Sequence, residues 1–329
     1  PATEIIQTKG SSETHPALSP NDEFAGFETH YKHLLGSGGV VSRINNGYVR
    51  RALTDGQGFQ EMMGANPFKY GIVAGADSHN AFSDNEEFNY TGVHGNTDMS
   101  PKIRLTSGTT VAGEAPIEFG TPGATGVWAP ENTRTAIFDA IKKKETFGTS
   151  GPLIRVRFFG GWDYPKDLVK DKDFVKKAYK EGVPMGQDLP KKSGKAPTFA
   201  VWALKDPESG NLDRVQIIKG WYKDGHPWEK VYDVAWSDGR KPDATTGKLP
   251  AVGNTVDIKN ASYTNSIGDT QLAAVWTDPD FDPSQHAVYY ARVIEIPTPR
   301  WTTFDAKALG IEPPSDVPAT IQERAWSSP

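Results

Sequence analysis

The chain contains no cysteine, so disulfides, zinc–thiolate centres and thiol nucleophiles are excluded from the start. It also lacks an excess of positive charge. Thirty-six Lys and Arg stand against 41 Asp and Glu, a net charge of −5, which leaves no basic footprint for nucleic acid or for an anionic membrane. No apolar run approaches the roughly 18 residues that a membrane-spanning helix needs, and no signal peptide opens the chain. The expected partners are therefore a small-molecule substrate, with no nucleic acid and no membrane insertion. What is present, 329 residues with 36% hydrophobic and 11% aromatic content, is enough to fill sizeable cores.

The most informative stretch is Gly71-Ile-Val-Ala-Gly-Ala-Asp77-Ser-His79-Asn80. It reads as a short apolar strand over 72–76 running into an Asp-x-His pair. On extended backbone residues i and i+2 point to one side, so Asp77 and His79 are expected to converge as metal ligands. The ordinary alternative is an Asx turn beside a surface histidine. Gly75 and Ala76 leave open space above the strand end.

The segment 72–80 resembles the closing metal motif of the PHP-like (polymerase and histidinol phosphatase) metallohydrolase superfamily, Gly-x-Asp-x-His. Other stretches resemble one family within it, the domain-of-unknown-function 3604 family: Glu4-Ile-Ile-Gln-Thr-Lys-Gly-Ser-Ser-Glu13, Trp128-Ala-Pro-Glu-Asn-Thr-Arg134, Phe158-Phe-Gly-Gly-Trp162 and Ile296-Pro-Thr-Pro-Arg-Trp301. The family's opening His-x-His is absent, since no two of His15, His30, His33, His79, His94, His226 and His286 are separated by one residue. The resemblance therefore covers the C-terminal half of the pattern. It implies a longer precursor, with the missing N-terminal half, or a second chain, as the partner that completes the site. It also implies export to the periplasm or the extracellular space.

The same resemblance implies an α/β barrel-like fold whose C-terminal portion is residues 1–150, followed by a β-rich, sandwich-like domain over 151–329. The patterning has the same division. Helices are expected over 48–63, as two pieces because Gly56 and Gly58 interrupt, and over 131–147, with another over 166–181. Beyond Gly151-Pro152 the period becomes two: Ile154, Val156 and Phe158 share a face, as do Phe199, Val201 and Ala203. Further strands are expected over 214–219, 231–236, 271–277 and 287–296.

Around Asp77 and His79, the strand glutamate Glu4 and its rival Glu13 are the further metal-ligand candidates, the PHP pattern having a strand Glu that bridges two metals. His94, His15 and Arg50 are candidates for substrate binding. Each has a plain alternative: a solvent-facing strand Glu, a surface-loop histidine, a His-Pro turn, a helix arginine in a salt bridge. His30 and His33 share a possible helix face, and Arg51 and Arg134 are possible anion clamps. The acidic run 278–282 lacks the spacing of a calcium loop.

Ligands of this kind without sulfur suit divalent Zn, Mn or Fe, and the implied activity is metal-dependent hydrolysis of a phosphoester or related ester or amide bond. Two alternatives stand beside it. One is a binding or accessory module presenting Trp162, Trp202, Trp221, Trp228, Trp236 and Trp276, which are otherwise expected to be core residues; the other is a degenerate paralogue without catalysis.

Overall fold

The computed structural model describes residues 1–29, 44–82, 84–95, 98–106, 115–190 and 194–329. Two antiparallel sheets dominate it. The larger has six strands in the order His226–Trp236, Leu212–Lys223, Ala287–Glu295, Arg324–Ser327, Thr146–Thr149 and Ala124–Val127. The smaller has four, in the order Gln271–Thr277, Thr198–Leu204, Arg155–Gly161 and Gly182–Pro184. Val215, Ile217 and Val293 of the first meet Val156, Phe158, Val201 and Leu272 of the second in one apolar core. The expected alternation is what builds it, because every second residue of these strands lies on the buried face.

The expected α/β barrel is not what the chain forms. Among the described residues strand accounts for 29% and helix for 19%, most pairing is antiparallel, and no barrel closes. Among the described residues the parallel strand pairing is Ala2–Glu4 beside Gly71–Val73, with Glu4 opposite Val73, besides isolated parallel bridges at Ser11–Thr29 and His79–His94. A parallel barrel needs each strand followed by a crossover helix. Here the segments after residue 120 turn instead into the antiparallel sheet. That sheet takes strands from both sides of residue 150, so the change of hydrophobic period near Gly151 does not mark a break in hydrogen bonding.

Several elements differ in extent from expectation. Val49–Met63 is one helix, not two. Its glycines serve close packing: a Cβ on Gly58 would lie 2.8 Å from the Tyr222 ring, and one on Gly56 would run into the Asn66 side chain. The helix packs Val49 and Leu53 against Ile218 and Tyr290 of the six-stranded sheet. The next long helix is shorter than its pattern, Arg134–Lys142, capped by Thr133 and ended by a left-handed Lys144, because Thr146–Thr149 is claimed by the sheet. The 166–181 segment splits into a turn of 3-10 helix, Leu168–Lys170, and the helix Phe174–Glu181. The six tryptophans expected in the core are only partly buried or, for Trp228, exposed. The fully enclosed ones are Trp301 and Trp326.

Candidate functional site

The parallel pair positions the site. Gly71–Val73 is shorter than expected, and the chain leaves it through Ala74 and Gly75 before reaching Asp77, whose φ of 51° is left-handed. Asp is among the few residues that tolerate this region. Asp77 and His79 do converge, though not through the alternation of an extended strand. The left-handed turn swings the carboxylate, while His79 is fixed by a bridge in which its N–H donates to the carbonyl of Val93, 2.7 Å away. Nε2 of His79 then stands 3.3 Å from Oδ1 of Asp77.

Two further groups join them. Lys9, in the turn after the first strands, pairs its ammonium with Oδ2 of Asp77 and donates to Oε1 of Gln7 at 3.1 Å. His94 faces His79 with ring centroids 5.0 Å apart. Its loop is clamped by Asp98, whose buried carboxylate accepts from the backbone N–H of Val93 at 2.8 Å and of His94 at 2.7 Å. Nδ1 of His94 is 3.8 Å from that carboxylate, beyond hydrogen-bond range. Burial, reinforced by neighbouring His79 and Lys9, lowers the pKa of His94 against the opposing pull of Asp98, so its imidazole is neutral near pH 7. Burial likewise lowers the pKa of Lys9, with Glu4 acting in the opposite sense.

Glu4 reaches the same region. Its carboxylate accepts from Nε2 of Gln7 at 3.1 Å and lies over Gly75, where any Cβ would collide with Oε1. That contact explains the glycine: the carboxylate fills the space a side chain would take. Asp77, His79, Glu4 and His94 are thus gathered at one edge of the parallel pair. Among the described residues no group of three or more His, Asp or Glu side chains is disposed to hold a metal ion.

Glu13, the rival of Glu4, belongs elsewhere. It is buried with both oxygens 3.0 Å from Nη1 of Arg292, and Oε1 also accepts from Arg50 at 2.6 Å and from Tyr290 at 2.7 Å. Asp22 bonds to the same two arginines, at 2.8 and 2.7 Å. Arg50 is thus committed to a buried ion-pair network. A group so fully engaged holds the first loop, the helix and the sheet together rather than meeting a substrate. His15 accepts the N–H of Ala17 at 3.1 Å through Nδ1, the His-Pro turn of the plain reading, and its ring lies beside Tyr48.

The remaining candidates are placed as follows. Arg51 pairs with Asp55 one helical turn on, and Arg134 is exposed. His30 and His33 lie outside the described residues. The acidic run is used internally: Asp278 pairs with Lys219, and Asp280 with Lys230 and Tyr232. Sequence reasoning missed Lys9 and Asp98. The signal for Lys9 was its place after the first strand, matching the place of Asp77 after its neighbour; Asp98, four residues beyond His94, carried no signal of its own.

A short strand pair ending in Asp-x-His, with Lys and a second His brought beside it, defines the candidate centre. The chain belongs to the family described as Protein of unknown function (DUF3604), whose family model matches residues 1–329. No curated protein and no solved structure matches it. Among the described residues no helix is long and apolar enough to cross a membrane.

Proposed function

We propose that the chain is a metal-dependent hydrolase of the PHP-like kind, acting on a phosphoester or related ester or amide bond of a small molecule, with its centre at Asp77 and His79. The observation that supports this is the 3.3 Å between Oδ1 of Asp77 and Nε2 of His79. Two donors bound at about 2.1 Å to one tetrahedral ion stand about 3.4 Å apart.

Asp77 and His79 would hold Zn, Mn or Fe, with the other positions filled by water or substrate. When bound, such an ion makes a coordinated water acidic and polarises the attacked group. Lys9 is placed to bind an anionic oxygen of the substrate, and the neutral imidazole of His94 to accept a proton beside His79. Glu4 and Gln7 hold the rim on which Lys9 sits. A periplasmic or extracellular setting is part of the same proposal.

The ion pair between Lys9 and Asp77 favours a second reading, in which the lysine ammonium stands in for the cation and the site is a degenerate, non-catalytic one. Metal analysis of the protein, together with hydrolysis assays on p-nitrophenyl phosphate, bis(p-nitrophenyl) phosphate and p-nitrophenyl acetate, separates the two. Stoichiometric transition metal, with turnover lost on chelation and in Asp77→Ala and His79→Ala, supports the hydrolase. A folded protein that binds no metal at micromolar concentrations supports the degenerate site.

A further inference from the structure

A second site lies at the other end of the Gly71–Val73 strand from Asp77. A cleft of about 740 Å³ opens there, within the size range of small-molecule sites. Two aromatic pairs from distant parts of the chain line it: Phe68 with Tyr70, ring centroids 5.8 Å apart, and Trp162 with Phe281, edge to face at 6.3 Å. All four rings are only partly buried, so they offer faces to the cleft that the core does not use. Phe158, Phe199 and Met185 of the core supply further apolar lining.

Three lysines also line the cleft, and they differ. Lys69 is paired with Asp188 at 2.5 Å, and Lys219 with Asp278 at 2.6 Å. Lys144 makes no ion pair among the described residues, and its ammonium donates to the carbonyl of Lys69 at 3.2 Å. Its position is built into the fold. Lys144 adopts a left-handed φ of 63°, its side chain lies over Gly71, where a Cβ would sit 2.7 Å from Lys144 Cβ, and Gly186 leaves its carbonyl room. Beside it Lys142 and Lys143 line an adjoining depression that shares Lys144, where the three lysines outnumber the carboxylates of Asp139 and Asp188. The carboxylate that acts on Lys144 is that of Asp188, whose ion pair is with Lys69, and Asp282 across the cleft is turned to its own loop, accepting from the N–H and hydroxyl of Ser284 at 2.9 and 2.6 Å.

We propose that this cleft binds an aromatic anion, its flat ring held among Phe68, Tyr70, Trp162 and Phe281 and its acidic group on Lys144, at a site separate from Asp77 and His79. Half-buried rings gain by stacking on another π-system. Four ring faces at one cleft favour a flat aromatic ring over a non-aromatic anion, while Gln57, Asn66 and Gln285 add hydrogen-bonding groups to its wall. The unpaired ammonium at the rim selects for charge. This inference does not depend on the hydrolase reading.

The test is calorimetric titration of the intact chain with 2-naphthoate, its neutral twin 2-naphthamide, and glucuronate as a non-aromatic anion. Saturable one-site binding of 2-naphthoate is expected, with the other two at least tenfold weaker. Lys144→Met should weaken 2-naphthoate about tenfold and leave 2-naphthamide unchanged, Phe281→Ala should weaken both, and Asp77→Ala neither. No saturation by 2-naphthoate up to millimolar concentration, equal affinity for acid and amide, or preference for glucuronate overturns the proposal. So does 2-naphthoate binding that is indifferent to Lys144→Met. The comparison of ligands on the unmodified chain decides the matter even where a variant fails to fold.

Discussion

Nε2 of His79 stands 3.3 Å from Oδ1 of Asp77, while the other oxygen of that carboxylate is taken by the ammonium of Lys9. A lysine so placed competes with any cation for Asp77. Partly exposed ion pairs are worth up to about 1 kcal/mol, so Lys9→Met should tighten Zn²⁺ or Mn²⁺ binding about fivefold. Titration of metal into the metal-free protein reads this directly, and unchanged or weaker affinity would remove Lys9 as a competitor.

Gly75 offers a substitution that reaches the site through its second layer. A methyl group there meets Oε1 of Glu4, the free end of a flexible side chain, so Gly75→Ala should displace the carboxylate while leaving the fold intact. The expected outcome is a change in unfolding temperature of no more than a few degrees, accompanied by a measurable change in metal affinity. A large loss of stability with unaltered metal binding would mean that Glu4 matters to packing alone.

The Glu13 network should govern acid stability. Burial pushes the carboxyl pKa up, but the guanidinium groups of Arg292 and Arg50 outweigh burial and hold it down at about 2, below its ordinary 4.5. A depressed carboxylate contributes stability that is full above pH 4.5 and is lost as the pH falls towards 2. Glu13→Ala should cost about 3 kcal/mol at neutral pH, at the low end for a broken buried pair because Asp22 still bonds to both arginines. Denaturant unfolding of the variant should also show a shallower dependence on pH between 4.5 and 2.

Glu295 should act in the opposite direction. Its carboxyl is buried and pushed up to about 8, although Ser209 donates a hydrogen bond to Oε2 at 2.7 Å, and Oε1 has no partner among the described residues. The folded form holds a proton that the unfolded chain releases above pH 4.5. Stability from this group is therefore present below pH 4.5 and declines as the pH rises to 8. Glu295→Gln should flatten that decline, which unfolding midpoints measured from pH 5 to 9 would reveal; an unaltered slope would place the proton elsewhere.

The sequence by itself determined whatever depends on near neighbours. Alternation marked Val156, Phe158, Val201 and Ala203 as one buried face each, because side-chain direction along a strand has a fixed period of two. The Asp-x-His junction after a strand was legible as a motif, yet its two side chains meet through the left-handed turn at Asp77 and not through that period. Gly56 and Gly58 misled, since a glycine that weakens an isolated helix also admits the Tyr222 ring, and only the folded chain decides between those effects. Glu13 looked like a ligand until Arg292, 279 residues away, claimed it. Lys9 became a site residue only when the two parallel strands set it beside Asp77. The segment 124–149 reads locally as part of an α/β unit, yet its strand Thr146–Thr149 pairs with Arg324–Ser327 at the far end of the chain. Such pairings are chosen by which buried faces fit together across the whole core, a competition that no local period encodes.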